Sequence, residues 1–216
     1  MSYDKEYHDN VHKLFLDDGY YQRKAKWAMN NYFNGENLDS SILEFGCGLG
    51  QNIFMLPEAI GYDISSYALA YCRSKGIKVI ETLDEVLDSS LDIVLCSHVL
   101  EHVEEPFSTL HIIKDKLTKQ GKLILVLPVE SQYTISNYEM DIDQHLYSWN
   151  QNTIKNLLIK AGYDIESIKE KNVAYGSLKL KRLLYINSGL HNVLTRLIGW
   201  VYDRNELIIK AVKKGE

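Results

Sequence analysis

Three groups of residues have the types and spacing that chemistry requires. The first is Ser41 to Gln51, SILEFGCGLGQ, in which an apolar run reaches Glu44 and Gly46, Gly48 and Gly50 then fall on alternate positions around Cys47. Glycine accepts positive φ and has no Cβ to hold a ligand off the main chain, so alternate glycines let the backbone approach a bound group closely at several points in one turn. The second is Asp63, seventeen positions after Gly46, which ends the short run Ala59-Ile60-Gly61-Tyr62 and precedes Ile64-Ser65-Ser66. A carboxylate at the end of a second strand stands beside the first glycine turn of a doubly wound sheet and can accept hydrogen bonds from ribose hydroxyls. The third group is imidazole chemistry. Ser97 and His98 follow the apolar run Leu91 to Cys96, His102 comes four positions later with Glu101 beside it, and His145 lies in the polar and aromatic stretch Val129 to Trp149. A neutral imidazole is the side chain best suited to take a proton near pH 7. Read as one face of a short helix, His98 and His102 also have metal-ligand spacing, but H-x-x-x-H lacking a downstream third ligand does not specify an ion, and no metal is expected.

The elements that must position these groups alternate along the chain. Helical periodicity covers Tyr3 to Leu16 and Tyr20 to Phe33, and the glycine turn is read as leading from a buried strand into a helix near Asn52-Ile53-Phe54. Helices follow at Ser66 to Lys75, closed by Gly76, at Phe107 to Leu117 after Pro106, and at Thr153 to Ala161, closed by Gly162; strands are expected at Ile77 to Ile80, Leu91 to Ser97, Lys122 to Leu127, Tyr163 to Ile168 and Glu206 to Lys213. Such alternation gives an α/β fold with a parallel, doubly wound sheet, helices on both faces and ligands at the carboxyl ends of the strands. Tyr175 to Tyr202 reads as mostly helical with a broad apolar face, an insertion before the last strand.

Composition narrows the function classes. The 216 residues, 45% apolar and 11% aromatic, suit one domain with a full core. Cys47, Cys72 and Cys96 form no C-x-x-C pair and no iron-sulfur spacing, so they read as buried packers in a reducing compartment. Met1 to Asn10 is polar and charged, and no apolar run reaches the roughly 18 to 20 residues that span a bilayer, so a cytoplasmic protein without stable membrane insertion is the expectation. The net charge is −5, with 14 basic and 25 acidic residues before Lys169 against 10 and 4 from there on. An acidic body is a poor match for nucleic acid, whose binding depends on phosphate neutralisation. The basic stretch from Lys169 onward is read as a solvated helix face ahead of a surface for phosphate or membrane.

E-F-G-C-G-L-G with Y-D-I-S behind it, and S-H-V-L-E-H-V-E-E-P at Ser97 to Pro106, resemble three motifs, in family order, of the class I S-adenosylmethionine-dependent methyltransferases. The glycine spacing departs from the G-x-G-x-x-G of NAD-dependent oxidoreductases and epimerases, which are the alternative enzyme class; a non-catalytic binding protein of the same fold is the other alternative. The resemblance covers about Leu38 to Asp164. It implies a seven-stranded, mostly parallel sheet whose last strand inserts antiparallel beside the fifth, with a lid of N-terminal helices at residues 1–37 and the methyltransferase domain over residues 38–216, the 175–202 insertion included. It implies S-adenosylmethionine as cofactor, S-adenosylhomocysteine as product and a small-molecule methyl acceptor, methylated at oxygen or nitrogen. The cofactor would be held by Glu44, Gly46, Cys47, Gly48, Asp63, Ile64, Ser97 and His98, with Glu81 or Leu83 after the third strand as open choices for the adenine. Tyr20, Tyr21, Trp27 and Tyr32 would wall the pocket, and His145 first, His102 second, would take the acceptor's proton.

The apolar face of Tyr175 to Tyr202 is wider than a small domain normally leaves in water, which points to a homodimer formed through it. Light scattering over a concentration series should show a dimer that Leu194→Glu disrupts. A monomer at every concentration, with the variant equally folded, would remove this face as an interface.

Overall fold

Leu123 to Leu127 is apolar at every position because the strand it forms is covered on both sides. Leu123, Leu125 and Leu127 pack into one core, and Ile124 and Val126 into another; Ile93 and Leu95 share the second, Val94 and Cys96 the first. Successive strand residues point to opposite faces, so a run without polar interruption is what a sheet buried on both sides requires. The computed structural model describes residues 16–129, 144–172 and 205–215, together with positions 5, 7, 8, 193, 194 and 197.

The described elements run α1 (Asp18–Asn31), β1 (Ile42–Phe45), β2 (Ile60–Tyr62), α2 (Ser66–Ser74), β3 (Lys78–Ile80), β4 (Leu91–Ser97), α3 (Pro106–Lys116), β5 (Leu117–Val129), α4 (Gln151–Lys160), β6 (Tyr163–Asn172) and β7 (Asn205–Lys213). They form a seven-stranded sheet of order β3-β2-β1-β4-β5-β7-β6. Strands β1 to β5 pair in parallel, and β7 runs antiparallel to both β5 and β6. One core contains α1 and α2, through Tyr21, Ala28, Ala68 and Leu69, and the other α3 and α4, through Leu110, Ile113, Ile154 and Leu158. The α/β architecture read from the sequence is therefore present, including the antiparallel last strand.

Helix ends follow their local chemistry. The Asp17 and Ser65 side chains accept hydrogen bonds from Tyr20 N (2.9 Å) and Ala68 N (3.2 Å) at the starts of α1 and α2. Asn150 receives the N–H groups of Asn152 and Thr153 at the start of α4. Pro106 does not precede α3 as a breaker but occupies its first turn, where a missing N–H has no consequence.

Two local expectations are corrected. The segment after the glycine turn, residues 51–55, is a chain of turns rather than a helix: Leu56 N bonds Ile53 O at 2.8 Å and Ala59 N bonds Leu56 O at 3.0 Å. Pro57 and the short distance in sequence to β2 leave no room for a helix. Residues 98–102 likewise form a turn, because His98 has φ 55°, in the left-handed region that ends regular structure. His98 and His102 are thus not neighbours on a helical face.

Among the described residues no helix is long and apolar enough to cross a membrane. The expected insertion at 175–202 lies outside the described residues apart from positions 193, 194 and 197, which are helical; Val193 and Leu197 are exposed.

Candidate active site

The strand order reverses direction between β1 and β4, and the crevice at that point is where open parallel sheets bind ligands. A cavity of about 700 Å³ occupies it. One wall is the glycine turn. Gly46 N and Cys47 N donate to Tyr62 O at 2.8 and 2.9 Å, which fastens the turn to the end of β2. Gly46 and Gly48 both have positive φ, at 72° and 50°. A Cβ on Gly46 would collide with the Val99 side chain, whereas one on Gly48 would project into open space. Gly46 is thus required for packing, and Gly48 leaves room beside the cavity.

Asp63 holds this wall in shape. One carboxylate oxygen accepts Gly48 N at 2.7 Å and the other accepts Ser65 N at 2.8 Å. A carboxylate has about four acceptor positions, so two remain for another donor. Ile64 beside it lines the cavity and is 72% exposed. Cys47 is buried, its sulfur against Gly61, which has no side chain to displace it.

The floor carries buried ionisable groups. Glu44, at 1% exposure, accepts a 2.6 Å hydrogen bond from Asn52 Nδ2 through one oxygen, while its other oxygen has no hydrogen-bond partner. Burial pushes its carboxyl up to about 8, against the opposing pull of Asn52 and Lys24. Lys24, on α1, is itself pushed down by burial, although Glu206 and Glu44 beside it act the other way.

The opposite wall is the turn after β4. Ser97 and His98 arrive from the strand end, and His98 Nε2 lies 3.0 Å from Glu206 Oε1 while Nδ1 lies 3.5 Å from Glu101 Oε1. Burial alone would lower this imidazole, but the two carboxylates outweigh it and raise it to about 10, so it stands as an imidazolium between them. Glu206 also accepts Tyr32 Oη at 3.0 Å. His102 is held below its ordinary range by burial, with Glu101 opposing and His145 assisting. Its ring meets that of His145 edge to face, centroids 4.8 Å apart. That meeting is enforced by backbone: Leu146 N and Tyr147 N donate to Glu101 O at 2.8 and 3.2 Å.

The ten residues named from the sequence as cofactor-binding or proton-accepting, Glu44, Gly46, Cys47, Gly48, Asp63, Ile64, Ser97, His98, His102 and His145, border this one cavity. Glu81 and Leu83 do not; Glu81 is tied to Arg73 at 2.8 Å instead. Of the four aromatics expected as walls, Tyr20 lines the cavity, while Tyr21 and Tyr32 are buried, bonded to Leu49 O and Glu206 respectively, and Trp27 packs against the core instead. Sequence reasoning missed Lys24, Asn52 and Glu206, and named Glu101 only as the acid beside the two histidines. Glu101 was visible within a quoted motif; Glu206 is placed by the antiparallel course of β7, which brings its first residues to the carboxyl edge of β5, opposite Pro128.

The chain matches a family model described as a methyltransferase domain over residues 4–168. No curated protein matches the sequence. Similar solved structures include a SAM-dependent methyltransferase from Archaeoglobus fulgidus, 21% identical, covering 96% of this chain and 100% of that one with a TM-score of 0.64. A putative methyltransferase from Bacillus halodurans C-125 is 15% identical, with 88% and 99% covered and a TM-score of 0.63. Magnesium protoporphyrin IX methyltransferase from Synechocystis PCC 6803, with bound SAH, is 16% identical, with 91% and 84% covered and a TM-score of 0.58.

Glu44 offers a pH test. Its folded-state value near 8, against an ordinary 4.5, means that the folded protein keeps a proton the unfolded chain releases between those values. Stability from this residue is full below about pH 4.5 and is lost as pH rises toward about 8. In urea titrations, Glu44→Gln should show a smaller decline in midpoint than the parent between about pH 5 and about pH 8. Identical declines would show that the carboxyl ionises normally.

Proposed function

Because the chain belongs to the methyltransferase domain family, we propose that it is a class I S-adenosylmethionine-dependent enzyme that methylates a small molecule at oxygen or nitrogen by in-line displacement. The observation that carries this reading is the cavity with the glycine turn and Asp63 on one wall and His102 and His145 on the other. The sulfonium arrives with its methyl group activated, so the protein's work is alignment and, for a hydroxyl acceptor, removal of a proton.

In this reading the Gly46 to Gly48 backbone and Cys47 border the cofactor. The unused acceptor positions of Asp63 take the ribose hydroxyls, and Ile64 lies against the nucleoside. Glu44 turns its unpartnered oxygen to the cationic amino-acid end, with Ser97 and His98 backing the methionine portion. The cover expected from residues 1–37 lies outside the described residues at 1–4, 6 and 9–15; Tyr20 and Lys24 of α1 border the cavity and supply part of it. The acceptor occupies the side lined by His102 and His145, and its proton leaves toward that pair, His145 first and His102 second.

Asp63→Ala should weaken S-adenosylmethionine binding by about 10- to 150-fold, since a hydrogen bond to a charged group contributes ~1.5–3 kcal/mol. Asp63→Asn, which keeps one acceptor, should fall between. Calorimetry on folded protein checks both, and unchanged affinity in Asp63→Ala would take this residue out of the site. Transfer of a labelled methyl group into cell-extract fractions identifies the acceptor; a parent protein that binds no S-adenosylmethionine would overturn the reading.

A further inference from the structure

Glu101 is fully buried, and neither carboxylate oxygen accepts a hydrogen bond. Its nearest cation, His98, stays 3.5 Å from one oxygen and is engaged more closely by Glu206 at 3.0 Å. A buried carboxylate left this way is costly unless a cation or donor completes it. On its open side stand two imidazoles: one ligand atom from each of Glu101, His102 and His145 lies within 4.8 Å of the other two. Donors around a tetrahedral transition metal at about 2.1 Å stand about 3.4 Å apart, so the set would draw in by about 1.4 Å at most on binding. His102 and His145 both line the cavity, so the fourth position of such an ion would open into it.

We propose that Glu101, His102 and His145 bind a divalent first-row transition-metal ion, zinc or manganese in kind, whose open position takes the hydroxyl of the methyl acceptor. Two imidazoles and one carboxylate suit such ions, whereas magnesium and calcium prefer oxygen donors alone. This rests on the methyl-transfer reading and refines it: the histidine pair acts through the ion rather than as a free base, and the acceptor is an alcohol or phenol. Coordination lowers the hydroxyl pKa, and the proton passes to water. The oxygen lone pair forms the new O–C bond as the methyl C–S bond breaks, its electron pair staying on sulfur to give the neutral thioether. The backbone bonds from Leu146 and Tyr147 to Glu101 O bring the third ligand to the other two, although it is 43 positions from His102 in the chain.

The test begins with untagged, chelator-stripped full-length protein titrated with Zn²⁺ and with Mn²⁺. One equivalent of at least one ion should bind, and Glu101→Gln and His145→Ala should each weaken that binding about 10-fold or more, while His111→Ala, on α3, leaves it unchanged. S-adenosylmethionine affinity, measured on the same metal-free samples, should be retained. If Glu101→Gln does not fold, His145→Ala, in an irregular segment, decides alone. No stoichiometric binding, or equal binding by folded variants, overturns the metal site, the latter marking an adventitious ion only. Metal binding failing while the cofactor binds leaves the methyl-transfer reading standing; cofactor binding failing removes that reading instead.

Discussion

The Asp63 carboxylate is the constraint on which the cavity depends. It bonds Gly48 N and Ser65 N at once, joining the glycine turn after β1 to the start of α2. Without it, a turn with three positive-φ glycines would have many conformations available, since glycine loses more backbone freedom on folding than any other residue. With it, the turn has one shape, and Gly46 and Gly50 are further held against Val99 and against Ile77 and Cys72. Charge-assisted hydrogen bonds to main-chain donors are stronger than neutral ones, which suits a residue that must hold a loop and still accept another donor.

Around that turn the protein concentrates charge where water is scarce. Glu206 and His98 pair across β7 and β4, Tyr32 caps the same carboxylate from the segment after α1, and Lys24 reaches toward Glu44 and Glu206 from α1. Such an arrangement adds little to stability beyond what apolar residues would give, because desolvation offsets much of the attraction. Its effect is positional. Strands separated by more than 100 residues are brought to fixed places on one edge, and perturbed ionisation gathers at the same edge, as is common at functional sites.

Much of this was legible in the sequence because it is local. Glycine spacing, an acid after a short apolar run and a serine that caps α2 are read within a few residues of one another, and each settled where expected. The five-residue run Leu123 to Leu127 announced a strand covered on both sides. What failed was helix assignment over short polar-apolar stretches: residues 51–55 and 98–102 match a helical period over barely one turn, too short to distinguish it from consecutive turns. His102 and His145 meet only because main-chain bonds from the segment after β5 reach Glu101, a long-range event that spacing cannot encode. Glu206 was hidden for the same reason, since an acid opening the last strand has no meaning until that strand is known to run backwards beside β5.

Asn172 and Asn205 are register partners at the ends of β6 and β7, and their side chains meet at 2.6 Å from Asn172 Nδ2 to Asn205 Oδ1. The chain between them is therefore an excursion whose two ends are locked together by the sheet itself. Loop closure depends only weakly on length once the ends are fixed, so residues can be added to or removed from this excursion at small thermodynamic cost. Glu206 directly follows its return point and keeps its place opposite Pro128 whatever the excursion contains. The edge that carries Glu206 is thus set by β5 and β6 on either side of β7, and its charge keeps its place independently of the length of chain between Asn172 and Asn205.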